Sequence, residues 1–202
     1  MLILFFLFLT SFIVPIHSTI VVMRHGESTH NVQSFFNSNP DHPDYRPSFL
    51  TQQGINDLIT SCKQLLDAGF TKETVKVAYV SPLPRTIQTA AILVQMGVIS
   101  HEALKIDKRL IEVQMGDRES KYYADFSQDP GDLSPENAAL YHGESWHDII
   151  NRVALLLEEI KKNNQVGTTL LITHGGPAQA LISLALGQED RELPPAGFEI
   201  IK

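Results

Sequence analysis

Three short apolar runs, each broken off by a polar or Gly/Pro-rich turn that leads into helical periodicity, constrain this chain more than any other feature of it. They are IVVMR at 20–24, VKVAYVS at 75–81 and TTLLIT at 168–173. Short runs rich in β-branched residues and bounded by turn formers read as buried strands. Between them, residues 52–67 set Ile55, Leu58, Ile59, Cys62, Leu65 and Leu66 at i, i+3, i+4, i+7 spacing, with Thr51 placed to cap the helix. Residues 145–163 repeat the pattern with Trp146, Ile149, Ile150, Val153, Leu157 and Ile160. Such alternation predicts an α/β fold, a three-layer α/β/α sandwich with a mainly parallel central sheet. The polar stretch 117–143 carries Pro130 and Pro135 and one short helical signal beginning at Ser134, and reads as a small cap insertion over the sheet's edge.

A chain of 202 residues suits one domain, and at this size roughly 70% of the unfolded surface can be hidden without disulfide or metal staples. Cys62 is the sole cysteine and falls in an apolar stripe, so a disulfide and a cysteine zinc site are excluded and an inert buried thiol is expected. Sixteen Lys and Arg against 23 Asp and Glu leave a net charge of −7, with the cations scattered, which argues against nucleic acid as a partner. A small anion stays compatible, because a few convergent Arg and His side chains outweigh distant screened charge.

Residues 1–16, MLILFFLFLTSFIVPI, are almost wholly apolar. A spanning helix wants about 20 residues, and Pro15 interrupts this one, so the segment 1–18 reads first as a signal peptide, with export to a periplasmic or secreted location. No Lys or Arg follows Met1, and cleavage after Ser18 leaves almost no linker before the first strand. An uncleaved hydrophobic segment or a mis-annotated start in a cytoplasmic protein therefore stay open, and no stable membrane insertion is expected once such a leader is removed. Residues 19–202 form the expected catalytic domain.

Chemistry-bearing residues collect where the strands end. Arg24 and His25 close the first run, and in open α/β sheets ligands sit beyond the carboxyl ends of strands. His174, in THGGP at 173–177, stands in the equivalent place after the third run, so the two histidines can meet. After the second run comes SPLPRTIQTA at 81–90, where Pro82 and Pro84 hold the chain extended and Arg85 enters the first turn of a helix. Free N–H groups at a helix start together with a guanidinium fork make a cradle for phosphate.

Taken together, RHGES with Asn31 beyond it, LTQQG at 50–54, SPLPRTIQTA, RLIEVQMG at 109–116, HGES at 142–145 and THGG at 173–176 resemble, in order, the motifs of the histidine phosphatase superfamily, the phosphoglycerate mutase-like proteins. The match runs from about residue 19 to the C-terminus. The resemblance implies that His25 attacks phosphorus as a neutral imidazole with one nitrogen tied, plausibly to a backbone carbonyl, and becomes phosphohistidine. It implies that Arg24, Arg85 and a cationic His174 hold the phosphoryl oxygens, with a neutral hydrogen bond from Asn31. Glu112 matches the acid/base carboxylate, which starts protonated, protonates the leaving oxygen and then activates water. No cofactor is implied. His142 and His147 lack a third ligand at zinc-like spacing, and a metal-independent enzyme is expected.

Mutase-type relatives carry basic residues after the acid/base segment. Here Arg118 and Lys121 sit among Asp117, Glu119, Asp125, Asp129 and Asp132, a poor grip for a phosphoglycerate. Hydrolysis of a small phosphorylated substrate is therefore the leading expectation. Phosphoglycerate mutase-type transfer and a non-catalytic phosphate-binding module are the alternatives. The stretch 37–49, NSNPDHPDYRPSF, is expected near the pocket mouth, and the ending LPPAGFEIIK holds a short last strand. Oligomeric state is open.

Overall fold

A computed structural model of the chain describes residues 19–126, 139–163, 167–188 and 191–202. The apolar leader and the helical signal at Ser134 lie outside the described residues. Five strands form one sheet: β1 (Thr19–Arg24), β2 (Val75–Val80), β3 (Leu104–Ile106), β4 (Thr168–Thr173) and β5 (Phe198–Ile201). Their order is β3-β2-β4-β1-β5, with β5 alone antiparallel to its neighbour. The helices are α1 (Thr29–Gln33), α2 (Gln52–Asp67), α3 (Pro84–Gln95), α4 (Trp146–Lys162) and α5 (Gly175–Leu186).

The strands are apolar at successive positions because both faces of the sheet are covered. Ile20, Val22, Val77, Tyr79 and Leu171 pack into one core with Ile149, Val153, Leu156 and Leu157 of α4 and Leu181 of α5. Val21, Met23, Ala78, Val80, Leu170 and Ile172 point the other way, onto Leu58, Cys62 and Leu65 of α2 and Leu93 of α3. Each such side chain, fully buried, contributes on the order of 1.5–3 kcal/mol. Burial also raises the Cys62 thiol to about 11, which suits inert packing. Trp146, at the start of α4, is half-buried against the first core. Among the described residues no helix is long and apolar enough to cross a membrane.

Helix starts tie the functional loops to this frame. Thr51 Oγ1 accepts from the Gly54 N–H at 3.0 Å and caps α2, while its own hydroxyl donates to Glu27 Oε1 at 2.6 Å. A Cβ on Gly54 would stand 2.2 Å from the Glu27 carbonyl oxygen, so only glycine lets α2 lie against the loop that follows β1. At the start of α4, Ser145 and Asp148 form a capping box. The described part of 117–143 differs from the expectation of an insertion over the sheet's edge. Residues 120–123 exchange backbone hydrogen bonds with Ser34 and Phe36, and Tyr123 stacks on Phe36 with centroids 4.6 Å apart. This segment therefore sits beside the loop after α1, where Tyr123 and Phe36 meet ring to ring.

Candidate active site

Parallel pairing puts Arg24 opposite Thr173, so His25 and His174 leave neighbouring strands at the same level. The His25 N–H donates to the Thr173 carbonyl at 3.0 Å, and on the other flank of β4 the Ser81 N–H donates to Ile172 at 3.0 Å. Three strand ends are thereby locked side by side. The imidazoles of His25 and His174 meet edge to face with centroids 5.0 Å apart. Arg85, at the second position of α3 behind Pro84, brings its Nε to 3.1 Å from His25 Nε2. All three side chains are wholly buried. Arg24 joins them from the end of β1, its Nη1 anchored on the Leu193 carbonyl at 2.8 Å.

Local hydrogen bonds define the protonation of His25. Nδ1 lies 2.6 Å from its neighbour's carbonyl, Gly26 O, which only accepts, so the ring proton is on Nδ1 and the Nε2 lone pair is free to receive the Arg85 N–H. Burial, then the Arg85 charge, then His30, push His25 well below the ordinary imidazole value. The same causes in the same order of burial and Arg85 keep His174 neutral. A cationic His174, as the sequence suggested, is therefore not its resting form, because a buried imidazolium beside a guanidinium is doubly unfavourable. His174 Nε2 bonds the Ser81 hydroxyl at 2.7 Å, while His174 Nδ1 and Arg24 Nε are buried with no protein hydrogen-bond partner. Two buried polar atoms without a protein partner beside a neutral imidazole can serve a bound anion.

Two further donors of Arg85 are engaged by Asn37: Nη1 donates to its Oδ1 at 2.7 Å and Nη2 to its carbonyl at 2.8 Å. Burial lowers Arg85 to about 10, which still leaves it charged at neutral pH. Asn37 is held in turn by the next residue, since Glu119 accepts from the Ser38 N–H and hydroxyl and from the Asn39 N–H. Burial pushes the Glu119 carboxyl up, against the pull of those donors. The start of the 37–49 stretch thus belongs to the floor of the pocket as well as to its mouth.

Asn31, the expected neutral phosphate contact, bonds within its own loop. Its Oδ1 accepts from the Ser28 N–H at 3.0 Å and the Ser28 hydroxyl at 2.9 Å, and its Nδ2 lies 3.1 Å from His30 Nε2. His30 Nδ1 closes the ring on Ser28 Oγ at 2.7 Å. With the amide donating, His30 carries its proton on Nδ1 and is neutral, and burial followed by the Arg85 charge lowers it to about 2. Asn31 therefore fixes the loop after His25 and the ring of His30, whose centroid is 5.7 Å from that of His25. Glu27 and Ser28 hold this same loop.

A cavity of about 490 Å³ opens above these groups. Arg24, His30, Asn37, Glu112, Gly175 and Gly176 line its base, and Phe36, Val113, Met115 and Tyr123 give it an apolar wall. Glu112 is half-buried there, its Oε1 accepting from the Val113 N–H at 2.9 Å and lying 3.4 Å from where a Cβ on Gly176 would be. Among the described residues Arg24 is the one cation on the lining. Arg118 of the cap turns away and stacks on Tyr141, 3.6 Å from its centroid, and Lys121 is exposed. The structure thus brings together Arg24, His25, Arg85, Glu112 and His174 and sets Asn31 one layer behind. Sequence reasoning missed Asn37 and Ser81. Ser81 opened a motif that was noticed, whereas Asn37 gave no signal beyond its place at the head of the loop expected near the mouth.

The family model described as Histidine phosphatase superfamily (branch 1) matches residues 20–199. Phosphoserine phosphatase 1 of Hydrogenobacter thermophilus is 28% identical over 176 residues, covering 83% of this chain and 76% of that protein. The 2,3-bisphosphoglycerate-dependent phosphoglycerate mutase of Bartonella bacilliformis is 30% identical over 189 residues, covering 87% and 84%. Among solved structures, Bacillus stearothermophilus YhfR aligns with a TM-score of 0.75 at 23% identity over 92% of this chain and 91% of its own. A mycobacterial glucosyl-3-phosphoglycerate phosphatase aligns with a TM-score of 0.71 at 21% identity over 92% and 93%. At such identities the structural likeness speaks for the fold.

Proposed function

The chain belongs to the histidine phosphatase superfamily, and from that premise we propose that it is a metal-independent hydrolase of small phosphate monoesters. His25 Nε2 attacks phosphorus in line, the bond from phosphorus to the ester oxygen breaks, and protonated Glu112 gives its proton to that oxygen so that a neutral alcohol leaves. Glu112, now a carboxylate, takes a proton from water, the water oxygen attacks the phosphohistidine, and phosphate departs with His25 restored. Arg24, Arg85 and His174 hold the phosphoryl oxygens, the two guanidinium groups balancing a dianion. Arg85 moves its donors from His25 and Asn37 to phosphoryl oxygens as the ester enters. Asn31 contributes by fixing the loop after His25.

The observation that carries this reading is the tautomer of His25, with Nδ1–H tied to Gly26 and Nε2 open beside Arg85. Hydrolysis is preferred to mutase chemistry because Arg24 and Arg85 are both assigned to the phosphoryl group, and the described cavity lining holds no Lys or Arg besides Arg24 to meet the carboxylate of a phosphoglycerate. The test is turnover of an activated aryl phosphate by wild type and His25→Ala, with the acid-labile phosphoprotein trapped by rapid quench. Label and turnover in wild type alone support the reading. Equal hydrolysis by both proteins, or none by either across a panel of esters, overturns it.

A further inference from the structure

The HGES motif at 142–145 has no part in the chemistry above, yet its glutamate is built into the segment that carries Glu112. Arg152 of α4 grips Glu144 with two parallel bonds, Nε to Oε1 at 2.9 Å and Nη2 to Oε2 at 3.0 Å. The same guanidinium donates to the Arg109 carbonyl at 2.6 Å and reaches the Glu112 carbonyl at 3.5 Å. Glu144 accepts from the Gln114 N–H at 2.9 Å through Oε2, and its own N–H donates to the Gln114 carbonyl at 2.8 Å. Both side chains are largely shielded, at 15% and 20% exposure. Residues 111–115 lie in no strand or helix, so no ladder holds Glu112. Its backbone is held by this pair on one side and by the Thr173 hydroxyl on the Leu110 carbonyl, at 2.7 Å, on the other.

We infer that the Glu144–Arg152 pair is a positioning device for the acid/base step: it fixes the backbone on both sides of Glu112 so that the carboxyl meets the leaving oxygen. The inference rests on the assignment of Glu112 in the proposed function. A planar, bidentate pair with further donors aimed at carbonyls has the rigidity that such a task needs, since a misplacement of about 1 Å can cost on the order of 100-fold in rate. Lysine, with three donors on one nitrogen and no fork, cannot make the four bonds of Arg152, two of them parallel to one carboxylate.

The experiment compares kcat/KM across phosphate monoesters whose leaving groups run from nitrophenol to simple alcohols, for wild type, Glu112→Gln, Glu144→Gln, Arg152→Lys and Arg109→Gln. A nitrophenolate leaves without a proton, whereas an alkoxide requires one, so loss of a well-aimed acid is felt selectively with alkyl esters. Glu144→Gln and Arg152→Lys are expected to lose at least about 30-fold with alkyl esters and under about 3-fold with nitrophenyl phosphate, following Glu112→Gln in kind, within the range general acids contribute. Arg109→Gln breaks ion pairs to Asp107 and Glu159 in the adjoining turn without removing any bond to residues 112–114. It controls for plain destabilisation and should leave the leaving-group dependence as in wild type. Equal losses for all esters, or no loss, in Glu144→Gln and Arg152→Lys would overturn the positioning role. If Glu112→Gln itself shows no leaving-group dependence, the acid/base assignment fails and the positioning role falls with it. Unchanged affinity for inorganic phosphate verifies that each variant keeps its pocket, and either of the two conservative variants suffices if the other does not fold.

Discussion

Arg85 donates its Nε hydrogen to His25 Nε2 across 3.1 Å, so a cation rests on the lone pair assigned to attack phosphorus. The contact keeps the imidazole neutral and aimed, and it is one of three bonds that Arg85 makes to His25 and Asn37. Arg85→Gln is expected to lower kcat/KM by about 100- to 1000-fold, the usual loss for one donor to a developing anion. Removing the charge also removes the second-largest cause that depresses His25, so its proton affinity rises and the acid limb of the phosphorylation rate moves to higher pH. Rapid-quench phosphorylation against pH measures both effects, and an acid limb unmoved or shifted to lower pH would contradict the assignment.

Asn37 occupies Arg85 donors that the proposed function assigns to phosphate. In Asn37→Ala the buried guanidinium loses the side-chain acceptor at 2.7 Å, which should cost about 1–3 kcal/mol of stability. A phosphate dianion can replace that acceptor, so inorganic phosphate should raise the melting temperature of Asn37→Ala more than that of wild type. Thermal melts across a phosphate titration decide this.

Three neutral histidines, His25, His30 and His174, lie buried at the base of the pocket with proton affinities lowered chiefly by burial. In the unfolded chain each takes up a proton below about pH 6.5, whereas in the fold each resists. The unfolded state then binds more protons, so stability falls as pH drops below that value, by up to about 1.4 kcal/mol per pH unit for each histidine. Glu119, raised by burial, acts in the opposite sense from its ordinary carboxylate value upward. Denaturant unfolding of wild type between pH 7.5 and 5.5, compared with His30→Gln, should show a shallower slope in the variant by about one proton.

Two glycines have their space taken by the site. A Cβ on Gly54 meets the Glu27 backbone at 2.2 Å, and one on Gly176 meets Val113 Cγ2 at 2.5 Å. Overpacking of this kind costs about 1–3 kcal/mol. Gly54→Ala should also displace the loop after His25, and Gly176→Ala should push the segment bearing Glu112, so both lose turnover beyond what the melting temperature explains. Gly69→Ala is the contrast: open space surrounds it, and its φ of +88° makes the cost one of backbone strain, with kcat/KM kept at a temperature where it remains folded.

The strands that carry the site were legible because burial on both faces forces continuous apolar runs, and the helices because one face is wet. Arg24, His25 and His174 were legible because each stands at the end of such a run, and Arg85 because it enters the first turn of the helix that follows one, where helix N–H groups are left unsatisfied. β3 was not, since a three-residue edge strand with two exposed positions leaves too short a pattern to read. The resting protonation of His174 was not legible either: charge matching to phosphate is a local argument, whereas desolvation depends on everything packed around the ring.

Sequence by itself determined the layer architecture, the strand-end location of the site and the identity of the residues with the required chemistry, since these follow from hydrophobic period and residue type. Tertiary structure alone decided that Asn37 clasps Arg85 across 48 positions and that Glu144 and Arg152 brace the backbone around Glu112. Those choices depend on which polar groups are left together once water is excluded, and a linear pattern does not record which distant neighbours desolvate one another.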